Sequence, residues 1–345
     1  MSFLIGIDAL GIDQPGGART AVFFLLNELF RQSPELNFII YLSKEELAYN
    51  SYANVSQVIL PYKKGLLSRI KAQVFFFFET YNKKFDLFHF TKSQGSFTFS
   101  KRKIITIFDL TILHNTTQFS TIDVLFWKYI QPIFLNHFDE IITISDDAKK
   151  DIHKYYNIPE QKIKTIYCSS QFDKHIPKNI ELVRKFQEKY NLFEDYLLFL
   201  GIISLKKNLS TIVKAYKYLL DNGYNIPKLI LAGPYYPQSD GSIIFDEIKK
   251  LGLGKKILYI GKVDQKDLIG LYQGSKLFLM PSTHEGFGIP ILEALQCEVP
   301  VIASNSASIP EVLGQAGVLV DDFLNPLAWA KEIIGLLNDN QKCIS

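Results

Sequence analysis

Cysteine, methionine and tryptophan are scarce in this chain of 345 residues, with three, two and two of each. Cys168, Cys297 and Cys343 stand far apart and form no Cys-x-x-Cys pair. That scatter argues against a disulfide framework and fits a reducing compartment. Charge of one sign is also missing: the net charge is +3, and neither half is strongly basic, so the footprint of a dedicated nucleic-acid binder is absent. No apolar run approaches the ~18 residues that a membrane-spanning helix needs. The first residues, Met1–Asp8, lack a basic stretch and read as a buried strand rather than a signal peptide, so a cytoplasmic chain is expected. There is no Gly-x-Gly-x-x-Gly motif. Ser43 and Lys44 stand where a nicotinamide-dinucleotide fold would carry its acidic residue, so that cofactor is not expected. No Asp-x-Asp triplet occurs either.

What is present is a globular composition, 47% apolar with 27 Phe and 18 Tyr. At roughly 150 residues per domain the length suggests two domains. Short apolar runs alternate with segments of helical period throughout. In the first half the strand-like runs are Phe3–Asp8, Phe38–Ser43, Gln57–Pro61, Leu87–Thr91, Ile104–Asp109, Ile141–Ser145 and Lys164–Tyr167. Amphipathic stretches include Thr20–Arg31, Leu66–Lys83, Thr121–His137 and Asp146–Tyr156. In the second half six runs, from Tyr196–Gly201 to Gly317–Asp321, alternate with helical intervals beginning near Asn208, Gly241, Gln265, Pro290, Ile309 and Asn325. This alternation predicts an α/β protein made of two Rossmann-like, doubly wound parallel-sheet domains. The polar stretch Ser169–Asn179 marks the boundary, giving domains of 1–176 and 177–345 that face a central cleft.

One local feature stands out. Val74–Phe78 contains four consecutive Phe. Such a run points around most of a helix, which predicts a helix buried on most sides. The other reading is a membrane-interface anchor with Lys63, Lys64, Arg69, Lys71, Lys83 and Lys84 as its basic face.

Three segments carry chemistry. Pro281-Ser-Thr-His-Glu-Gly-Phe-Gly-Ile-Pro-Ile-Leu-Glu-Ala294 follows a strand and opens a helix. Gly286 and Gly288 allow close backbone approach to a ligand, and Pro290 suits a first helical turn. Exposed amides there favour an anion. Glu285 and Glu293 can face one ligand, and each charge-assisted bond to a sugar hydroxyl contributes ~1.5–3 kcal/mol. In Gly201-Ile-Ile-Ser-Leu-Lys-Lys-Asn208, Lys206 and Lys207 are placed to hold a diphosphate beside a helix that Asn208 would cap. Gly16-Gly17-Ala-Arg-Thr20 reads equally well as a ligand-approaching loop or a plain helix-starting turn.

Taken in order, these segments resemble glycosyltransferase family 4, the retaining nucleotide-sugar transferases of GT-B fold, and within it the mannosyltransferase-B-like group of bacterial O-antigen and capsular glycan synthesis. Ile5–Ala9, Asp86–His89, Phe108–Leu110, Ile142–Ser145, Leu231–Pro234, Pro300–Ser304 and Ser308–Gly317 extend the similarity over nearly the whole chain. The resemblance implies an N-terminal acceptor domain and a C-terminal donor domain. Glu293 would hold the donor ribose and Glu285 the donor sugar, helped by the amides of Phe287, Gly288 and Ile289. Lys206 and Lys207 would neutralise the diphosphate, Val263 would sit by the base, and Gly16 and Gly17 would approach from the N-terminal domain. The donor is a substrate, GDP-mannose first, with no metal or other cofactor. The acceptor would be a glycan or lipid-linked saccharide, with peripheral membrane contact.

The sequence also departs from the family. Phe108 stands where a His usually precedes Asp109, leaving Asp109 as the catalytic candidate of that pair. Cys168-Ser-Ser-Gln171 replaces an Asn-Gly-Val-Asp turn, and relatives carry further helices beyond the position of Leu337, which should weaken control of domain closure. His89 and His114 are expected to be structural. A non-catalytic sugar-nucleotide-binding scaffold, a phosphorylase-type enzyme or a sugar-nucleotide epimerase of the same fold are the alternatives.

Overall fold

The computed structural model of the chain describes residues 3–12, 16–61, 66–114, 116–172, 176–236 and 241–338. The chain divides into two compact units, Met1–Ser169 and Ser170–Ser345. Seven residues that the sequence assigns to the first domain thus belong to the second. The reason is local: Ile176 N–H donates to Gln296 O at 3.0 Å, Ser170 Oγ donates to the Gln296 side chain, and Phe172 packs edge-on to Tyr272.

The N-terminal unit runs β1 (Leu4–Asp8), α1 (Gly17–Gln32), β2 (Asn37–Leu42), β3 (Val55–Ile59), α2 (Leu66–Lys83), β4 (Leu87–Phe90), β5 (Arg102–Ile107), α3 (Thr111–His114), α4 (Thr121–Leu125), α5 (Gln131–His137), β6 (Glu140–Thr143), α6 (Asp146–Tyr156) and β7 (Ile163–Thr165). Its strands form one parallel sheet in the order β3-β2-β1-β4-β5-β6-β7. Such a sheet buries both faces, so its strands are apolar at successive positions. On β2, Ile40 joins Val22, Leu26 and Phe30 of α1 in one core, while its neighbour Tyr41 joins Phe76 of α2 in the other. Each fully buried large side chain contributes roughly 1.5–3 kcal/mol.

The C-terminal unit runs α7 (Ile180–Tyr190), β8 (Tyr196–Leu200), α8 (Leu209–Asp221), β9 (Lys228–Ala232), α9 (Ser242–Lys250), β10 (Ile257–Gly261), α10 (Leu268–Gln273), β11 (Ser275–Met280), α11 (Ile289–Gln296), β12 (Val301–Ser304), α12 (Ile309–Leu313), β13 (Val318–Val320) and α13 (Pro326–Asn338). Its parallel sheet has the order β10-β9-β8-β11-β12-β13. In both sheets the winding direction reverses once, between β1 and β4 and between β8 and β11. Ligands of doubly wound sheets bind beyond the strand ends at such reversals.

Three helices differ from expectation. The stretch 121–137 is broken: a π-helical turn, Phe126–Ile130, separates α4 from α5. Pro132 has no N–H to continue an α-helical ladder, and Gln131 N–H reaches back five residues to Phe126 O. Helix α7 follows directly on the Ser169–Asn179 boundary, in a stretch where the sequence reading names no element. It buries only Phe186 but is capped by Asn179, whose Oδ1 accepts from Glu181 and Leu182 N–H at 3.1 Å. Finally, α2 is not buried on most sides. Phe76 and Thr80 are buried, whereas Leu67, Ile70, Val74, Phe77, Phe78 and Tyr81 are exposed. Phe99 stacks edge-on against Phe77 and Tyr81 at 4.9 and 5.2 Å. The apolar surface continues on Ile122, Leu125, Tyr129, Ile130 and Ile133. Lys63 and Lys64 lie outside the described residues.

Candidate functional site

The site residues of the C-terminal unit collect at the β8/β11 reversal. After β8 the chain turns through Gly201 into a 3-10 turn, Leu205–Lys207, before α8. After β11 it turns through 281–288 into α11. The two turns are tied together: Thr283 N–H and Oγ1 both donate to Lys206 O, at 2.9 and 3.2 Å. From the other side, three serines hold the second turn by its carbonyls. Ser304 Oγ donates to Ser282 O, Ser306 Oγ to Thr283 O, and Ser308 Oγ to Glu285 O and Phe287 O, at 2.5–3.1 Å. Glycine is required at two places. A Cβ on Gly233 would lie 2.1 Å from Gly201 O, and Gly288 adopts φ 109° as it opens α11.

Within this frame Lys207 Nζ donates to Glu285 Oε1. Both residues are buried, 8% and 9% exposed, so the pair sits where charge–charge interaction is strong and solvation weak. Burial pulls the Lys207 ammonium below its ordinary range, opposed by Glu285. For Glu285, burial disfavours the charge, but Lys207 and Lys206 outweigh it and hold the carboxyl below its ordinary value. The result is an ionised carboxylate and a cation fixed at one spot. Lys206 is half-buried beside them.

Glu293, one turn into α11, is only 4% exposed. Its Oε1 accepts from Gln171 Nε2 and its Oε2 from the Tyr272 hydroxyl, both at 2.8 Å. Burial raises its pKa, with the Tyr272 and Gln171 bonds opposing. Gly286, Phe287, Gly288 and Ile289 form the bend at the start of α11. Pro290 stands in the first helical turn, where its missing N–H leaves no donor unpaired, and Ile291 N–H donates to Gly288 O at 2.9 Å.

Other candidates are placed differently. Val263 is buried in the apolar cluster that also holds Ile230, Ala232 and Met280. Its side chain is therefore not offered to a base, whereas Lys262 and Asp264 on either side of it are exposed. Asn208 precedes α8 in a left-handed conformation but makes no side-chain cap. Its amide donates to Phe323 O at 3.1 Å instead. In the N-terminal unit Gly16 opens α1 at φ 144°, and a Cβ on Gly17 would meet nothing within 4 Å. No described residue of the unit therefore requires glycine at position 17. Asp109 Oδ1 accepts from Thr111 N–H at 2.9 Å at the start of α3. His89 is buried against Thr106 at 2.8 Å, with its pKa pushed down to about 4 by burial, and His114 pairs with Asp151. Gln171, Tyr272 and the three serines are absent from the sequence-derived site. The alternation Ser304, Ser306, Ser308 after a strand was the one signal available for the serines.

Residues 15–169 match the family described as Glycosyltransferase Family 4, and residues 183–344 the one described as Glycosyl transferases group 1. The chain belongs to this family of glycosyltransferases, and its fold is of GT-B type. It is similar to the O-antigen chain mannosyltransferase B of Escherichia coli, 35% identical over 185 residues that cover 52% of this chain and 47% of that protein. It is also similar to the serotype-specific mannosyltransferase WbdA of Escherichia coli, 32% identical over 178 residues, 51% of this chain and 22% of that protein. The chain spans about half the length or less of these curated relatives. Among solved structures, HepE of Anabaena in complex with UDP and glucose superposes with a TM-score of 0.74 at 16% identity, covering 99% of this chain and 91% of that one.

Proposed function

We propose that this chain transfers a hexose from a nucleotide-diphosphate sugar, GDP-mannose as first candidate, to a hydroxyl of a growing surface glycan or lipid-linked saccharide, with retention and without a divalent cation. The observation that carries this reading is the buried Lys207–Glu285 pair at the β8/β11 reversal, just before the N-terminus of α11. Departure of a nucleoside diphosphate builds negative charge on the leaving group. Lys206, Lys207 and the N-terminal end of the α11 dipole meet it as fixed cations and a fixed dipole. The absence of an Asp-x-Asp triplet from the sequence supports a cation-independent route. Glu285 is held well ionised by its lysines and is therefore a weak base. That supports a front-face reaction in which the departing phosphate oxygen takes the acceptor proton and Glu285 stabilises the electron-poor sugar. Glu293 binds the ribose hydroxyls.

The test is a thermal-shift panel of GDP, UDP, dTDP and ADP with their sugars, on the wild type and Glu293→Ala. Ligand at ~100 Kd adds about 2.7 kcal/mol of stability. A shift with one base family that is lost in the variant is expected, and no shift with any nucleotide overturns the reading. Binding without turnover on any acceptor would make the chain a scaffold, and conversion of the donor without acceptor would make it an epimerase.

We also propose peripheral contact with an anionic membrane through the outer face of α2 and the neighbouring 97–133 segment. Among the described residues from 66 to 133, every exposed charged residue is basic: Lys71, Lys83, Lys84, Lys101, Arg102 and Lys128. The acids Glu79, Asp86, Asp109 and Asp123 are all half-buried. Exposed aromatic and aliphatic side chains bordered only by exposed cations match the interface of an anionic bilayer. No helix among the described residues is long and apolar enough to cross a membrane.

A further inference from the structure

Glu293 is buried, and both of its oxygens are already bonded, to Gln171 and to Tyr272. A ligand from outside reaches the carboxylate only if one of those partners gives way. The two differ in their freedom to do so. Tyr272 is fully buried in α10 and packs on Phe278 with ring centroids 5.7 Å apart. Gln171 is half-buried and is the second residue of the C-terminal unit, just past the join to the N-terminal one.

The chain entering the unit is anchored in two ways. Residues 176–179 are fixed through their backbone. Gln273 Nε2 donates to Ile176 O and Pro177 O, both at 3.1 Å, and its Oε1 accepts from Asn179 N–H at 2.9 Å. Ile176 N–H donates to Gln296 O at 3.0 Å. Ser170–Phe172 is held by side chains instead. Gln171 Nε2 reaches Glu293, Ser170 Oγ reaches the Gln296 side chain, and Phe172 meets Tyr272 edge-on. Among the described residues, the backbone groups of these three bond to nothing except Ser170 Oγ, to which Phe172 N–H donates at 2.9 Å. Local opening is easiest where the fewest bonds are lost, so Ser170–Phe172 can lift while 176–179 stays in place.

The Gln171 amide does for Glu293 what a sugar hydroxyl would do. It donates one hydrogen bond to Oε1 and keeps a buried carboxylate oxygen from standing unpaired. We infer that Ser170–Phe172 is a gate over Glu293. In the empty site Gln171 stands in for a ligand hydroxyl; the vicinal diol of a nucleotide displaces it and frees the first residues of the segment that joins the two units. This rests on the ribose role of Glu293 proposed above. Apparent affinity is then scaled by the fraction of molecules whose gate is open.

The experiment is NMR of the side-chain amides on the full chain, made with isotope-labelled glutamine, beside thermal shifts with GDP, UDP, dTDP and ADP. The Gln171 resonances are assigned by their absence from Gln171→Ala. Whichever nucleotide stabilises the chain should also release the Gln171 amide, whose protons then exchange with water about tenfold faster than in the empty protein. Ser170→Ala cuts one tie of the gate and leaves Gln171 and Glu293 in place. It should bind that nucleotide about threefold more tightly. Stabilisation seen only in Gln171→Ala would also support the gate, as one that stays shut in the wild type. A nucleotide that stabilises the wild type while the Gln171 amide stays protected overturns the gate and leaves the donor reading standing; unchanged affinity in Ser170→Ala does the same. No stabilisation by any nucleotide, in the wild type or either variant, overturns both.

Discussion

The Lys207 ammonium meets the Glu285 carboxylate across the line where the C-terminal sheet reverses its winding. The two residues come from turns after different strands, yet neither charge is solvated. Removing two such ions from water costs several kcal/mol per ion, and the protein recovers that cost only while both are present.

Breaking this pair from one side should therefore destabilise the fold. Lys207→Ala should lower unfolding stability by about 3–5 kcal/mol, because Glu285 is left buried without its partner. The double variant Lys207→Met/Glu285→Gln should recover a large part of that loss. Urea melts of the three proteins decide it, and additive losses would show that the pair is not coupled. At temperatures where Lys207→Ala stays folded, its kcat should fall more than its affinity for the free nucleoside, since the charge acts as the diphosphate leaves.

Glu293 carries a second prediction. Both of its oxygens are occupied internally, so a ribose must share or displace the Gln171 bond. Gln171→Ala should tighten nucleotide binding by up to about tenfold, one neutral-to-charged hydrogen bond at the low end of its range. Glu293→Ala should abolish that binding and also destabilise the fold by about 1–3 kcal/mol, because the buried Tyr272 hydroxyl loses its acceptor. Calorimetric titration with GDP and UDP checks both. Weaker binding in Gln171→Ala would mean that the glutamine helps to hold the ligand rather than competing with it.

The strands and most of the helices were legible because their signals are local. Apolar runs such as Leu229–Ala232 and helix-starting prolines such as Pro290 act over a few residues. The turn around Glu285 and the lysines at 206 and 207 were legible as motifs for the same reason. What escaped was contact between distant segments. Nothing around Gln171 or Tyr272 announces that each bonds a carboxylate more than twenty positions away, since a glutamine in a linker and a tyrosine in a helix are ordinary there. Val263 shows a further limit. Whether a valine faces the core or a ligand depends on packing that the local sequence does not encode.

Asp8, at the end of β1, makes the stability of the N-terminal unit depend on pH. Burial raises its pKa to about 7, with the Leu10 N–H bond and the Lys92 charge acting in the opposite direction. A carboxyl whose folded pKa is raised binds more protons in the folded chain than in the unfolded one. It contributes stability below its ordinary value near 3.8, and that contribution is lost as pH rises to about 7. The melting temperature of the wild type should therefore fall relative to Asp8→Asn between about pH 4 and pH 7, and run parallel above. A constant difference across that range would remove Asp8 as a titrating group.

The exposed face of α2 makes the last prediction. Phe78 and Tyr81 are 59% and 61% exposed, so replacing them removes little internal packing, and surface changes of this kind usually alter stability by no more than about 0.5 kcal/mol. If the face rests on a bilayer, the same replacements remove its apolar insertion. Phe78→Ser/Tyr81→Ser should keep the wild-type melting temperature yet lose most co-sedimentation with vesicles containing anionic phosphatidylglycerol. Lys71→Gln/Lys84→Gln should weaken sedimentation on anionic vesicles and have little effect on zwitterionic ones, because each cation near the surface adds about 1 kcal/mol only where the surface is negative. Raising the salt should mimic the lysine changes and not the aromatic ones. Equal sedimentation of all three proteins would mean that this apolar face meets something other than lipid.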